Sequence, residues 1–214
     1  MQSPYFDAKT YVDLDGEAVA RYNARRSVEA ETYLHFELGP HPFDGDIENA
    51  KVVLLMGNPG YDKTSTLEDH RFQREGWPIS SLHPEAPPGM RNWYVRRLRW
   101  VIEIFGAQHV SQQLAIAQLQ PWASNGFDNA TVRLPSASLI ADPVKRAIER
   151  GAVVIGNPHG AMWSARLGAA YKKVEEGNSH MQLTLGPGNL TRTVGLWNRV
   201  LSALDSKSAG IKTL

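Results

Sequence analysis

Apolar residues recur along this chain in two rhythms. Unbroken runs occur at VVLLM (52–56), LAIA (114–117) and AVVI (152–155). Apolar runs of four to eight residues bounded by turn formers predict strands buried on both faces. Helical spacing is clearest over residues 90–105, MRNWYVRRLRWVIEIF, where Tyr94, Leu98, Val101, Ile102 and Phe105 fall on one stripe while Arg96 and Arg97 point elsewhere. DPVKRAIER (142–150) predicts a helix with Pro143 at its first turn and Gly151 ending it; LWNRVLSAL (196–204) predicts the last helix. MQLTLG (181–186) reads as a fourth strand, and AMWSARLGAA (161–170) as a short helix. Residues 16–38 are helical in composition but only weakly periodic, with Asp15 placed to cap their start.

Strands that alternate with helices and are apolar on consecutive residues indicate a parallel sheet covered on both faces. The expected fold is therefore α/β, a three-layer α/β/α sandwich with a central, mainly parallel four-stranded sheet. Residues 51–205 form that domain, 1–50 a helical extension packed on it, and 206–214 a flexible tail. Ligands of such folds gather at the carboxyl ends of the strands. The residues there are 57–61, 120–124, 157–160 and 186–190. A loop of more than two dozen residues, from Asn58 to about Gly89 and rich in Pro, Gly and His, adjoins the first of them; loops of that length usually carry function.

Composition narrows the chemistry. With 23 Lys plus Arg against 22 Asp plus Glu in 214 residues, the formal net charge is +1, so a nucleic-acid surface must be a local patch. The chain has no cysteine; this removes disulfides, Cys-ligated zinc and iron–sulfur clusters, and fits a reducing cytoplasm. No stretch reaches the roughly 18 apolar residues of a membrane span. A cytoplasmic monomer without membrane contact, metal or cofactor is the expectation.

Two strand ends share the letters Gly-Asn-Pro, at 57–59 and 156–158. Asn-Pro by itself stops a strand, because Pro lacks an N–H and biases its predecessor away from helix. No Gly-Lys-Ser/Thr follows the first turn, so it is not a phosphate loop. The first turn continues into Gly60, Tyr61, Asp62 and the long loop, which makes Asn58 the better candidate for chemistry. An Asn does not ionise at neutral pH; it can orient a water but cannot act as a strong base.

VVLLMGNPG at 52–60 and LTLGPGNLTR at 183–192, read together, resemble the two motifs of the uracil-DNA glycosylase superfamily. The first motif is most similar to the mismatch-specific thymine/uracil branch, in which Asn precedes Pro-Gly. An Arg-Asn-aromatic helix start (Arg91, Asn92, Trp93) and a middle strand ending in a polar residue (Gln120) add to the likeness, which spans residues 51–204. The resemblance implies a partner, single- or double-stranded DNA, whose target base is flipped out before its glycosidic bond is hydrolysed. It also implies Asn58 as holder of the attacking water, and Gly57, Pro59, Gly60 and Tyr61 as the wall of the base site. Asp62, read from the sequence itself, is either a second acid near Asn58 or the cap of a turn with Lys63 and Thr64. Gln120 would read the base edge, with Phe72, Trp77 or Trp122 stacking on the base. Leu190 would wedge into the vacated duplex, and Pro187, Gly188, Asn189 and Arg192 would hold the DNA backbone.

Two departures matter. Gly186 stands where the second motif opens with His or Asn, and Gly60 stands where the most active branch carries His. A binding module of the same fold without catalysis is therefore the alternative expectation, and a hydrolase of free nucleosides a third. Arg96, Arg97 and Arg99 on the long helix are either phosphate contacts or a solvated face, and His159 is a rim residue or a local hydrogen-bonding group.

Overall fold

The computed structural model describes residues 7–156, 159–177 and 184–205. Its strands are β1 (Phe43–Asp44), β2 (Val52–Met56), β3 (Leu114–Gln118), β4 (Val153–Gly156) and β5 (Glu175–Glu176). Its helices are α1 (Ala8–Asn23), α2 (Leu67–His70), α3 (Pro88–Phe105), α4 (Ala107–Gln113), α5 (Ala141–Glu149), α6 (Gly160–Leu167) and α7 (Leu196–Leu204). The sheet runs β1-β3-β2-β4-β5, parallel throughout except that β1 pairs antiparallel with β3. Among the described residues five strands, rather than four, make up this sheet. The added pieces, β1 and β5, are two residues each, too short for any hydrophobic period to show. Of the expected strand over 181–186, residues 181–183 lie outside the described residues and Thr184 to Gly186 are not in a strand.

The strands sort their side chains as the pleat requires. Val53, Leu55, Ala115, Ala117 and Val154 enter one core with Tyr11, Val19, Ile140, Val144 and Trp163 from α1, α5, α6 and their flanks. Val52, Leu54, Met56, Leu114, Ile116 and Ile155 enter a second core with Leu98 and Val101 of α3, Val110 of α4 and Val200 of α7. All five residues of β2 are buried, as are all five of β3. Each Val, Leu, Ile and Met among them contributes about 1.5–3 kcal/mol by leaving water. An apolar core on either face of a mostly parallel sheet is compatible with the expected α/β/α layering.

Residues 7–50 belong to this architecture. Tyr11, Val19 and Leu34 are core residues, and β1 is a strand of the sheet. Asp7, not Asp15, caps α1, accepting from the backbone N–H groups of Lys9 and Thr10. Asp15 is fully buried one turn or more into the helix, where it receives hydrogen bonds from Trp122 Nε1 and from Ser136. In α5 the helix begins at Ala141, so Pro143 sits at the third position and not the first. The long 58–89 loop is built around α2, whose Thr66 and Asp69 form a capping box, and around a 3₁₀ turn at Ser80–Leu82. The predicted tail, 206–214, lies outside the described residues. No described helix is long and apolar enough to cross a membrane.

Candidate functional site

The chain leaves β2 through Gly57, which is buried. A Cβ added there would lie 2.8 Å from His159 Nε2 and 3.0 Å from Phe127 Cδ2, so the absence of a side chain is what lets these rings close over the turn. His159 adopts a left-handed backbone (φ 70°), and its ring is tilted against Phe127 at a centroid distance of 4.1 Å. Burial pushes its pKa below the usual histidine value. Sequence reading left His159 as either a rim residue or a local bonding group; the structure makes it packing for the first turn. Asn157 and Pro158, the rest of the second Gly-Asn-Pro, lie outside the described residues.

Backbone bonds zip the first turn to the chain that leaves β3. Leu119 N–H donates to Met56 O, Gln120 N–H to Gly57 O and Ser124 N–H to Pro59 O, at 3.1 Å each. Trp163 Nε1 of α6 also donates to Met56 O, at 3.1 Å. Pro59 is buried within this zipper and Gly60 is exposed at its mouth.

Asn58 is half-buried, and its amide nitrogen is fully engaged. Nδ2 donates to Ser124 O at 2.8 Å, to Ser124 Oγ at 3.0 Å and to Pro59 O at 3.0 Å. Two carbonyl acceptors can be met only by the nitrogen end of an amide, so the orientation follows from chemistry. Oδ1 has no hydrogen-bond partner among the described residues and is left as an acceptor.

Tyr61 is clamped between two histidines, with His35 stacked at 3.4 Å and 15° and His70 at 5.5 Å and 10°. These contacts pin the long loop to the N-terminal segment. Asp62 is a turn-capping residue: Oδ1 accepts from Thr64 N–H and Oγ1, and Oδ2 from Ser65 Oγ. Those bonds hold its carboxyl below the usual carboxylate range. At neutral pH it supplies negative charge and not a proton, and of its two sequence readings the turn cap is the one these bonds show.

Beside these residues lies a cavity of about 120 Å³, lined by Gly60, Tyr61, Asp62 and His70 from the loop, Gly89, Met90, Trp93 and Tyr94 from α3, and Gln118 at the end of β3. A cavity of roughly 150 Å³ encloses a benzene molecule, so this space, at about 120 Å³ and open on one side, is smaller than one six-membered ring and would hold one only in part. A smaller neighbouring cavity of about 80 Å³ is lined by His41, Asp44, Phe72, Trp77 and Ser81, among others, and shares His70 and Met90 with the first. Phe72 and Trp77 thus face the neighbouring cavity, where Trp77 meets His83 edge-on at 4.9 Å. Trp93, carrying Arg97 over its ring at 3.9 Å, is the indole that the first cavity offers.

Gln118, which sequence reasoning passed over, lines the cavity, and Gln120 does not. Gln118 is 3% exposed, lines the cavity, and its Oε1 has no hydrogen-bond partner. Gln120 is 1% exposed and spends both ends of its amide on Trp122, accepting from its N–H and donating to its O, at 2.7 Å each. Trp122 is fully buried, stacked on Phe36 at 4.3 Å. Neither faces open space: their bonds fold the PWAS segment that carries Ser124 to Asn58. The only sequence signal for Gln118 is that it ends the apolar run LAIA.

The second motif is shaped differently from its expectation. Leu190 is 2% exposed and packed in the α3/α7 core with Leu185 and Leu196, so it is not presented as a wedge. Pro187 and Gly188 are exposed, and Asn189 is half-buried in a 3₁₀ turn. Arg192 lies 3.8 Å from Glu176. Gly186 has an extended backbone (φ −171°) that any residue can adopt. What excludes a side chain is Trp100, whose Cδ1 would sit 2.3 Å from an added Cβ. Gly186→His is accordingly expected to lower stability by about 1–3 kcal/mol through overpacking. Combining it with Trp100→Ala is expected to remove most of that coupling in a double-mutant cycle of thermal melts.

No protein-family model matches the chain, nor does any curated protein or any solved structure. The geometry of the site therefore bears the functional argument.

Proposed function

We propose that the chain is a uracil-DNA glycosylase-like hydrolase, which takes a flipped-out deaminated or damaged base into the cavity beside Tyr61 and Trp93 and hydrolyses its N-glycosidic bond. The observation that carries this reading is Asn58: its nitrogen is committed to Ser124 and Pro59, its Oδ1 has no partner among the described residues, and Gly60, two residues on, lines a cavity of about 120 Å³. Gly60, which lines that cavity, is two residues from Asn58, so their Cα atoms are within ~7 Å. With the base seated in the cavity, the sugar falls at the mouth, where Oδ1 can orient a water toward the anomeric carbon. Asp62, held ionised, stabilises the positive charge that develops on the sugar as the base departs. Exposed Arg96 and Arg99 on α3 offer the backbone phosphates a basic face.

The test is incubation of the protein with single-stranded, G:U and A:U oligonucleotides, followed by alkali. Strand scission at the uracil is the expected result. A second reading, a nucleic-acid-binding module without catalysis, is favoured by one observation: Trp100 occupies the space of the motif-two side chain that would assist the leaving base. Salt-sensitive binding with no scission at any deaminated or oxidised base would establish that reading and discard the hydrolase.

A further inference from the structure

The other layer of the molecule carries a second opening. It is an open cleft of about 580 Å³ between α5, α6 and the 3₁₀ turns at Asn129–Arg133 and Pro135–Ile140. Its lining residues Leu134 and Ala137 belong to the core that α1, α5 and α6 share, whereas α3, which lines the cavity beside Tyr61, packs in the core on the opposite face of the sheet. Leu134 and Ala137 are buried and make an apolar floor. Arg133, Lys145 and Arg166 stand around it, with Asp142 as the one carboxylate among the lining residues. Lys145 meets Asp142 at 3.4 Å, and neither arginine has a carboxylate partner among the described residues. Arg166 is half-buried and held by the backbone: its guanidinium donates to Leu119 O and, at 2.9 Å, to Val132 O. Those bonds engage two of the five N–H donors of a guanidinium and leave its charge unneutralised. Burial without a countercharge pulls its pKa down to about 10. An anion in the cleft offsets that loss.

We propose that this cleft is a second binding site, for a small phosphate monoester of nucleotide size: Arg166 and Arg133 take the phosphate with Lys145 beside them, and the organic body rests on Leu134 and Ala137. The volume lies within the roughly 300–1,000 Å³ of small-molecule sites. A phosphate monoester carries about −1.5 to −2 charge at neutral pH and three acceptor oxygens. That meets two guanidinium groups without a countercharge better than the single charge of a carboxylate does, and the planar N–H fork of arginine matches phosphate oxygens. Asp142 opposes such a ligand, because it adds negative charge at the rim and occupies Lys145. The cleft shares no lining residue with the cavity beside Tyr61, so its occupancy is independent of the hydrolase reading.

The experiment is calorimetric titration of the intact protein at low ionic strength with adenosine monophosphate, inorganic phosphate and adenosine, together with mapping of amide NMR shifts. Adenosine monophosphate is expected to bind, inorganic phosphate to bind at least threefold more weakly, and adenosine to show no binding at the same concentrations. Shift changes are expected to cluster in residues 132–145 and at Arg166. Arg133→Ala and Lys145→Ala each remove one cation, and are expected to weaken nucleotide binding about threefold singly and about tenfold together. Asp142→Asn is expected to tighten it about twofold, since it removes a like charge and releases Lys145. Arg166→Met is expected to abolish binding in folded protein, with circular dichroism checking the fold. Because that change also frees two backbone carbonyls, the Arg133 and Lys145 variants decide the matter if it does not fold. Failure of adenosine monophosphate to bind at millimolar concentration overturns the proposal, as does adenosine or inorganic phosphate binding as tightly as the nucleotide. An unchanged affinity in the folded Arg133→Ala, Lys145→Ala double variant overturns it as well, and so do shift changes confined to Gly60, Tyr61 and Met90, which place the nucleotide in the first cavity.

Discussion

Asn58→Ala is expected to reduce the rate of base excision at least a hundredfold with little change in KM. The substitution removes Oδ1, the acceptor that the proposed reading assigns to the attacking water. Loss of one preorganised polar group from a hydrolytic site costs about 2.7–4 kcal/mol of transition-state stabilisation, or 10²–10³ in rate. On the proposed reading Tyr61 and Trp93, which line the cavity, would hold the base, so ground-state binding is expected to stay. Asn58→Asp is expected to be no improvement. In the present arrangement an aspartate would turn one oxygen toward Ser124 O and Pro59 O, now 2.8 and 3.0 Å from Nδ2. Two carbonyl oxygens facing a carboxylate repel it, and the turn must reopen before the new group can act as a base. Single-turnover kinetics on a G:U duplex separates these outcomes: a slow chemical step with unchanged binding supports the water-holding role. A rate within threefold of wild type in Asn58→Ala removes it.

The strands β2, β3 and β4 were legible because each is apolar on consecutive residues, and α3 and α7 because their apolar stripes repeat at helical spacing. What was not legible depends on tertiary contacts. β1 and β5 are two-residue strands that exist only because β3 and β4 offer them an edge. The choice between Gln118 and Gln120 turns on where β3 stops: the strand ends at Gln118, and the chain then bends so that Gln120 folds back on Trp122. No local preference distinguishes two glutamines two residues apart. Leu190 lies in an irregular Gly-rich segment with no period to assign it a side, and only the packing of α3 against α7 buries it. The turn itself was legible, since an apolar run into Gly-Asn-Pro-Gly is a local signal; the fixed orientation of its Asn was not, because Ser124 lies 66 residues away. Asp15 shows the same limit in reverse. An Asp before a helical stretch looks like a cap, yet its partners come from Trp122 and Ser136.

Replacing Asp15 by alanine is expected to cost about 3–4 kcal/mol of stability and to lower the melting temperature by roughly 6–16 °C. Asp15 is fully buried, and no Lys or Arg pairs with it among the described residues. Its oxygens instead receive Trp122 Nε1 at 2.7 Å, Ser136 N–H at 2.9 Å and Ser136 Oγ at 2.5 Å. Removing the carboxylate leaves an indole N–H and a backbone N–H buried without acceptors, each worth about 1–3 kcal/mol, beside a cavity that apolar neighbours only partly refill. Ser136→Ala deletes one donor and leaves two, so a loss of about 1 kcal/mol is expected from it. The damage should also reach the site. Trp122 anchors the segment whose Ser124 fixes Asn58, so hydrogen exchange at residues 119–126 is expected to accelerate in Asp15→Ala before the protein as a whole unfolds. Thermal melts and amide exchange on both variants check the prediction, and a shift below 3 °C for Asp15→Ala would refute it. On this account α1 and the residues around it determine the geometry of the rim: the carboxylate of the first helix holds the loop, the loop holds Ser124, and Ser124 turns Asn58 so that its oxygen stays free.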